Sequence, residues 1–164
     1  TEWLKLAAGD GLLESELAKY YELFKNADSL GSLIQIEEGT TLVPTDILVQ
    51  KLGAALTKEK AIGDPVAEAF GETASGVLKA VSYLRRKDFH IVVTNPPFLG
   101  FRKQNRILID YCERTYSTSK KDIATSFLER SKEFLNNLCI YSMVTPQNWL
   151  FLSSDQKLRL KILK

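Results

Sequence analysis

The chain has 164 residues, 45% hydrophobic and 26% charged, with a formal net charge of +2. That length suits one compact domain, and the composition is that of an ordinary folded chain. So small a charge excludes a strongly basic polymer binder, no apolar run reaches membrane-span length, and the first residues do not read as a signal segment.

A first helix over residues 13–27 sets Leu13, Leu17, Tyr20 or Tyr21, Phe24 and Ala27 on one stripe. Glu14, Glu16, Lys19 and Lys25 take the other side. Asp28-Ser29-Leu30-Gly31-Ser32 reads as a turn, and residues 33–36 as a short strand. Thr45-Asp46 opens a helix into residues 47–56. Asp64-Pro65 opens another, with an acceptor side chain at the cap and proline where its missing N–H costs nothing. Its stripe is Val66, Phe70, Ala74, Val77 or Leu78, Val81 and Leu84. Arg85-Arg86-Lys87 then falls in its last turn, at the negative end of the dipole.

Residues 90–94 form a short β-branched run without alternation, as expected of a strand covered on both faces. Asn95-Pro96-Pro97-Phe98-Leu99-Gly100 ends it. Helical sequence resumes over residues 103–116, and Asp122 caps a further helix carrying Ile123, Phe127, Leu128, Phe134 and Leu135. Residues 138–144 are a second strand of the buried kind, broken by Thr145-Pro146. Ser153 and Gln156 make a capping box for a last helix through Leu163. Strands separated by such helices predict an α/β chain with βαβ units and a parallel sheet.

Cys112 and Cys139 make neither a disulfide framework nor a close-spaced metal motif, which points to a reducing compartment. Cys139 reads as a small buried hydrophobe. The one histidine, His90, reads as the first residue of a strand, with a structural role. The basic clusters Arg85-Arg86-Lys87, Arg102-Lys103 with Arg106, and Lys120-Lys121 read as solvated faces.

The chemistry concentrates in Asn95-Pro96-Pro97-Phe98, at the carboxyl end of a strand, where open α/β sheets place their ligands. Two prolines stiffen the backbone and remove two donors, leaving carbonyl oxygens free to accept. The Asn95 side-chain carbonyl and the Pro96 main-chain carbonyl can each accept one hydrogen of an aromatic amino group. This localises the nitrogen lone pair toward an electrophilic methyl. Phe98 offers a face on which a flipped-out base stacks. Positioning and electrostatics suffice, so no metal is expected.

Ile91-Val92-Val93-Thr94-Asn95-Pro96-Pro97-Phe98 resembles motif IV of amino-methylating DNA methyltransferases. The resemblance continues through the segments beginning Lys120-Lys121-Asp122-Ile123 and Tyr141-Ser142-Met143-Val144, and closes at Leu158-Arg159. Ala27-Asp28-Ser29-Leu30-Gly31-Ser32-Leu33-Ile34 is similar to a segment upstream of the catalytic loop. The series is similar to the large adenine-specific enzymes of bacteriophage-exclusion and fused restriction–modification systems. It implies a partial Rossmann-like, class I S-adenosylmethionine-dependent fold with a mainly parallel sheet. It further implies adenine-N6 methylation of double-stranded DNA with a flipped adenine, cytoplasmic location, and restriction or defence subunits as partners.

By that resemblance Asn95, Pro96 and Phe98 hold the amino group and stack the base, while Pro97 shapes the loop. Phe98 stands in place of the commoner tyrosine, and His90 where the family often has aspartate. Trp149 and Phe151 read as packing aromatics. The family binds S-adenosylmethionine mainly through a glycine-rich loop after its first strand. Neither Ala7-Ala8-Gly9-Asp10-Gly11 nor Leu52-Gly53-Ala54-Ala55 fits it, so no cofactor-binding residue is assigned. The start at Thr1 and the single Met143 point the same way. The expectation is that residues 1–164 form one piece of a catalytic domain, without the cofactor loop or the target-recognition region. Two other readings share the motif or the fold: methylation of a protein glutamine amide or an RNA base, and a non-catalytic module that binds nucleic acid or a partner.

Overall fold

The computed structural model describes residues 7, 9–36, 44, 46–48, 50, 51, 53, 54, 57 and 65–163. For residues 65–71 and 136–139 it describes the backbone alone. The chain divides into two units. One comprises Thr1–Asp28 with Ile34–Arg85, the other Ser29–Leu33 with Arg86–Lys164.

The regular elements of the first unit are helices among its described residues. Helix α1, Gly11–Phe24, starts because the Asp10 carboxylate accepts from the Leu12 and Leu13 N–H groups at 3.1 and 3.0 Å. Such a cap is worth about 1 kcal/mol. Helix α2, Ala27–Leu30, is a single turn that ends at Gly31, whose φ of 51° suits a residue without Cβ. Helix α3 is Pro65–Leu84. Leu13, Leu17 and Tyr20 of α1 bury against Ala74, Leu78 and Val81 of α3, with Leu48 beside them.

Glu16 departs from the expected polar face. It is buried, because positions 13, 16, 17 and 20 share one side of a helix, and its carboxylate takes the Lys19 ammonium at 2.7 Å. Residues 33–36 are not a strand: Gly31–Leu33 is a 3₁₀ turn, and residues 34–36 belong to no regular element. The helix opening at Thr45 and the cap at Asp64 lie outside the described residues, although residues 46–48, 50, 51, 53, 54 and 57 are helical.

The second unit carries the sheet. Strand β1, Phe89–Thr94, pairs in parallel with β2, Leu135–Met143. Ile91 lies opposite Ile140, Val92 opposite Tyr141, Val93 opposite Ser142 and Thr94 opposite Met143. A parallel pair needs a crossover. Here helix α4, Arg106–Thr115, and helix α5, Ile123–Glu133, supply it. Helix α6, Gln156–Ile162, follows two 3₁₀ turns, Gln147–Leu150 and Ser153–Asp155. Leu128, Trp149, Leu158 and Ile162 form a core on which Tyr141 and Met143 of β2 pack.

That core covers one face of the sheet only. On the other, Ile91, Val93 and Ile140 are 68%, 74% and 71% exposed. The expected double cover is therefore corrected: burial alternates from Ile91 to Thr94, because no described element of the second unit lies over that face.

Four smaller expectations also change. Arg85, Arg86 and Lys87 fall beyond the end of α3, and Arg86 instead pairs with Asp88 at 2.9 Å and lies over the Phe89 ring. The strand opens at Phe89 with His90 second and exposed. Ser153 makes no capping box, because residues 153–155 close into a 3₁₀ turn and α6 begins without a side-chain cap. Trp149 packs as expected, with Nε1 donating to Thr145 at 3.0 Å, but Phe151 is exposed. No helix among the described residues is long and apolar enough to cross a membrane.

Candidate active site

The 95–98 loop leaves the carboxyl end of β1, within the second unit. Asn95 is exposed, Pro96 buried, Pro97 exposed and Phe98 52% exposed. Neither the Asn95 side chain nor the Pro96 carbonyl has a hydrogen-bond partner among the described residues. Both acceptors thus remain available, beside an aromatic ring with half its surface open.

The loop is tied at each end. At its start the Thr94 carbonyl accepts from the Val144 N–H at 3.4 Å, extending the sheet by one step. Past its end, the Leu99 carbonyl accepts twice, from the Ile123 N–H at 3.1 Å and from Gln104 Nε2 at 2.9 Å. The Phe101 N–H donates to the Lys121 carbonyl at 2.8 Å, so Gly100 and Asp122 face each other as an antiparallel bridge. Asp122 serves twice, as a bridge residue and as the cap of α5, accepting from the Ala124 N–H at 2.8 Å. Helix α4 starts later than expected, at Arg106. Residues 101–103 first make a 3₁₀ turn that brings Gln104 back under Leu99. Gln104 is buried, and its Oε1 has no partner among the described residues.

The segment that answers Gly100 is itself held by α5 and α6. Buried Glu129 of α5 accepts from Thr118 and Ser119 hydroxyls, each at 2.7 Å, and from the Lys161 ammonium of α6. Thr125 Oγ1 donates toward the Ser119 carbonyl at 2.6 Å. Burial works to raise the Glu129 pKa, and the hydrogen bonds from Lys161, Ser119 and Thr118 outweigh it. The carboxyl therefore sits below the usual glutamate value. Tyr116, on the same segment, donates to the Leu33 carbonyl at 2.6 Å, and burial pushes its hydroxyl well above the usual range.

Asn95, Pro96, Pro97 and Phe98 were legible as one tetrapeptide. Gln104, Asp122 in its bridging role, and Glu129 were not, because their partners lie 5 to 32 residues away in sequence. Only the cap signal at Asp122 pointed to any of them.

Residues 8–164 match the family described as Eco57I restriction-modification methylase. The chain belongs to that family. It is 29% identical over 160 residues to an adenine-specific methyltransferase BrxX of Escherichia coli O9:H4 (strain HS), covering 97% of this chain and 13% of that protein. It is 37% identical over 71 residues to an adenine-specific methyltransferase PglX of Lacticaseibacillus casei (strain Zhang), covering 43% of this chain and 6% of the relative. The chain thus spans a small part of the curated relatives it matches.

Membership makes methyl transfer the chemistry to weigh against the geometry. Cofactor binding in such enzymes needs backbone N–H groups turned toward the ligand, which a glycine turn between strand and helix provides. Among the described residues no such unit occurs: β1 runs into the proline loop and β2 into Thr145-Pro146. Among the described residues, Gly9 and Gly31 have positive φ, and each sits beside a helix.

Proposed function

We propose that this chain is the catalytic-loop portion of a longer DNA methyltransferase that moves a methyl group from S-adenosylmethionine to adenine N6, in a restriction or phage-defence setting. The observation that carries the reading is the 95–98 loop itself. It presents two free acceptors and a half-exposed aromatic ring at the carboxyl end of a parallel strand, with both its ends hydrogen-bonded. Asn95 Oδ1 and the Pro96 carbonyl take the two amino hydrogens of the base, and Phe98 takes its face. The cofactor supplies an electron-poor methyl group. This chain's residues act on the acceptor alone.

Adenine as the substrate is supported by the names of the two relatives, both adenine-specific methyltransferases. A wider Rossmann-like sheet is supported by the uncovered face of Ile91, Val93 and Ile140, since parallel sheets are ordinarily covered on both sides. Further strands and helices of the parent, including the cofactor loop, complete it in this reading. Double-stranded DNA with a flipped adenine is the partner, with other defence-system subunits alongside, in the cytoplasm.

The test is Asn95→Ala in the full-length parent, assayed for methyladenine in DNA. Methyl transfer is expected to disappear while cofactor binding stays within twofold. Transfer at the wild-type rate would refute the role of Asn95. Methylglutamine in a protein substrate, with no methyladenine, would move the activity to the other amino-methylating class. Calorimetric titration of the 164-residue chain with S-adenosylmethionine is expected to show no binding, and tight binding would place the cofactor loop within it.

A further inference from the structure

We propose that the 3₁₀ turn Phe101–Lys103 is a DNA-backbone contact, in which Arg102 and Lys103 hold phosphates of the strand that donates the flipped base. This rests on the DNA-methylation reading above.

Three observations converge on it. First, Arg102 and Lys103 are both exposed and have no ion-pair partner among the described residues. Nearby cations do have one: Arg106 pairs with Asp110 at 2.9 Å, Lys120 with Glu113 at 3.0 Å and Lys121 with Asp155 at 3.4 Å.

Second, the turn is rigidly related to the loop. Lys103 N–H donates to the Gly100 carbonyl at 2.9 Å, Phe101 N–H to Lys121, and Gln104 Nε2 to Leu99. These bonds fix the backbone that carries the two cations to the segment just past Phe98, rather than leaving it a loose tail.

Third, the reach is right. Arg102 lies four positions after Phe98, at most about 14 Å along the chain. A base turned out of the duplex stays attached to its own sugar and phosphates, which therefore arrive at the mouth of the pocket. Guanidinium and ammonium groups are the natural partners there, and Phe101, 41% exposed, adds an apolar surface between them and the loop. Carboxylates of a protein partner fit the charge equally well, but nothing ties such a partner to the neighbourhood of a base pocket.

The experiment compares the full-length parent with its Arg102→Gln/Lys103→Gln double variant, measuring affinity for target and non-target duplex across salt concentrations. Each phosphate contact contributes roughly 0.9 to the slope of log affinity against log salt, so the slope should become shallower by about 1.8. Between 50 and 200 mM salt the wild type should then lose roughly tenfold more affinity than the double variant. Both duplexes should be affected alike, since phosphate contacts carry no sequence information. The charge-keeping pair Arg102→Lys/Lys103→Arg should retain the wild-type slope, and unchanged melting of each variant guards against misfolding.

An unchanged slope in the double variant overturns the proposal, as does a change confined to an RNA duplex or to capture of a protein subunit. Absence of any DNA methylation by the wild-type parent is a separate result, and it would remove the underlying reading instead.

Discussion

Gln104 donates its Nε2 hydrogen to the Leu99 carbonyl at 2.9 Å, one residue past Phe98, while its own Oε1 stays buried and without a partner among the described residues. A buried acceptor left unpaired costs about 1–3 kcal/mol. The site therefore tolerates a local penalty in exchange for a donor aimed at the loop's downstream end. Replacing Gln104 with Met keeps the volume and removes the donor. In the parent, kcat for methyl transfer is expected to fall about 10- to 100-fold, because small displacements of a reacting geometry have that effect. Cofactor affinity should hold. Single-turnover rates beside a cofactor titration separate the two, and a full-speed Gln104→Met enzyme would remove Gln104 as a positioning residue.

Glu129 gives a pH prediction. Its folded pKa lies below the ordinary glutamate value, so its contribution to stability is complete above that value and is lost as pH falls through the depressed one. Thermal melts from pH 7 down to pH 3 should show a loss that Glu129→Gln flattens. At neutral pH the same variant should be less stable by about 1–3 kcal/mol, since three donors lose a charged acceptor. Parallel melting curves for wild type and variant across that range would contradict the assignment.

Cys112 is fully buried, and burial raises its thiol pKa, with a hydrogen bond from Ser126 opposing weakly. In a Cys139→Ala background it should resist alkylation at pH 8 for hours and label at once in denaturant. Prompt labelling of the folded protein would mean that α4 opens on that timescale.

Val93 tests the uncovered face. In the 164-residue chain Val93→Asp should change stability by less than about 0.5 kcal/mol, as at other exposed sites. In the parent, where we propose that further structure covers the face, it should cost several-fold more. Equal effects in both would show the face to be open in the parent too.

Much of this was readable from residues taken singly. The β-branched run ending in Asn95-Pro96-Pro97-Phe98 marked the strand and the loop that ends it, and Asp122 marked the start of α5. Where reading failed, it failed for stated physical reasons. Ile91 and Val93 looked like the interior of a doubly covered strand because apolar residues announce a wish for burial, not its fulfilment. Ser153 and Gln156 had the letters of a capping box, but Leu152 and Asp155 closed the tighter turn first, with a hydrogen bond of 3.0 Å. Glu16 was assigned by its charge when its position on the helix placed it inside. Gln104 and Glu129 act through partners that only the folded chain brings near.

The tether at Thr94 and Leu99 also has a thermodynamic meaning. Ordering four backbone residues costs about 4–8 kcal/mol in conformational entropy. With both ends of residues 95–98 already hydrogen-bonded, much of that cost is incurred when the chain folds, not when a base enters. A parent with a loosened tether should therefore bind its base with a more unfavourable entropy, and the defect should deepen on warming.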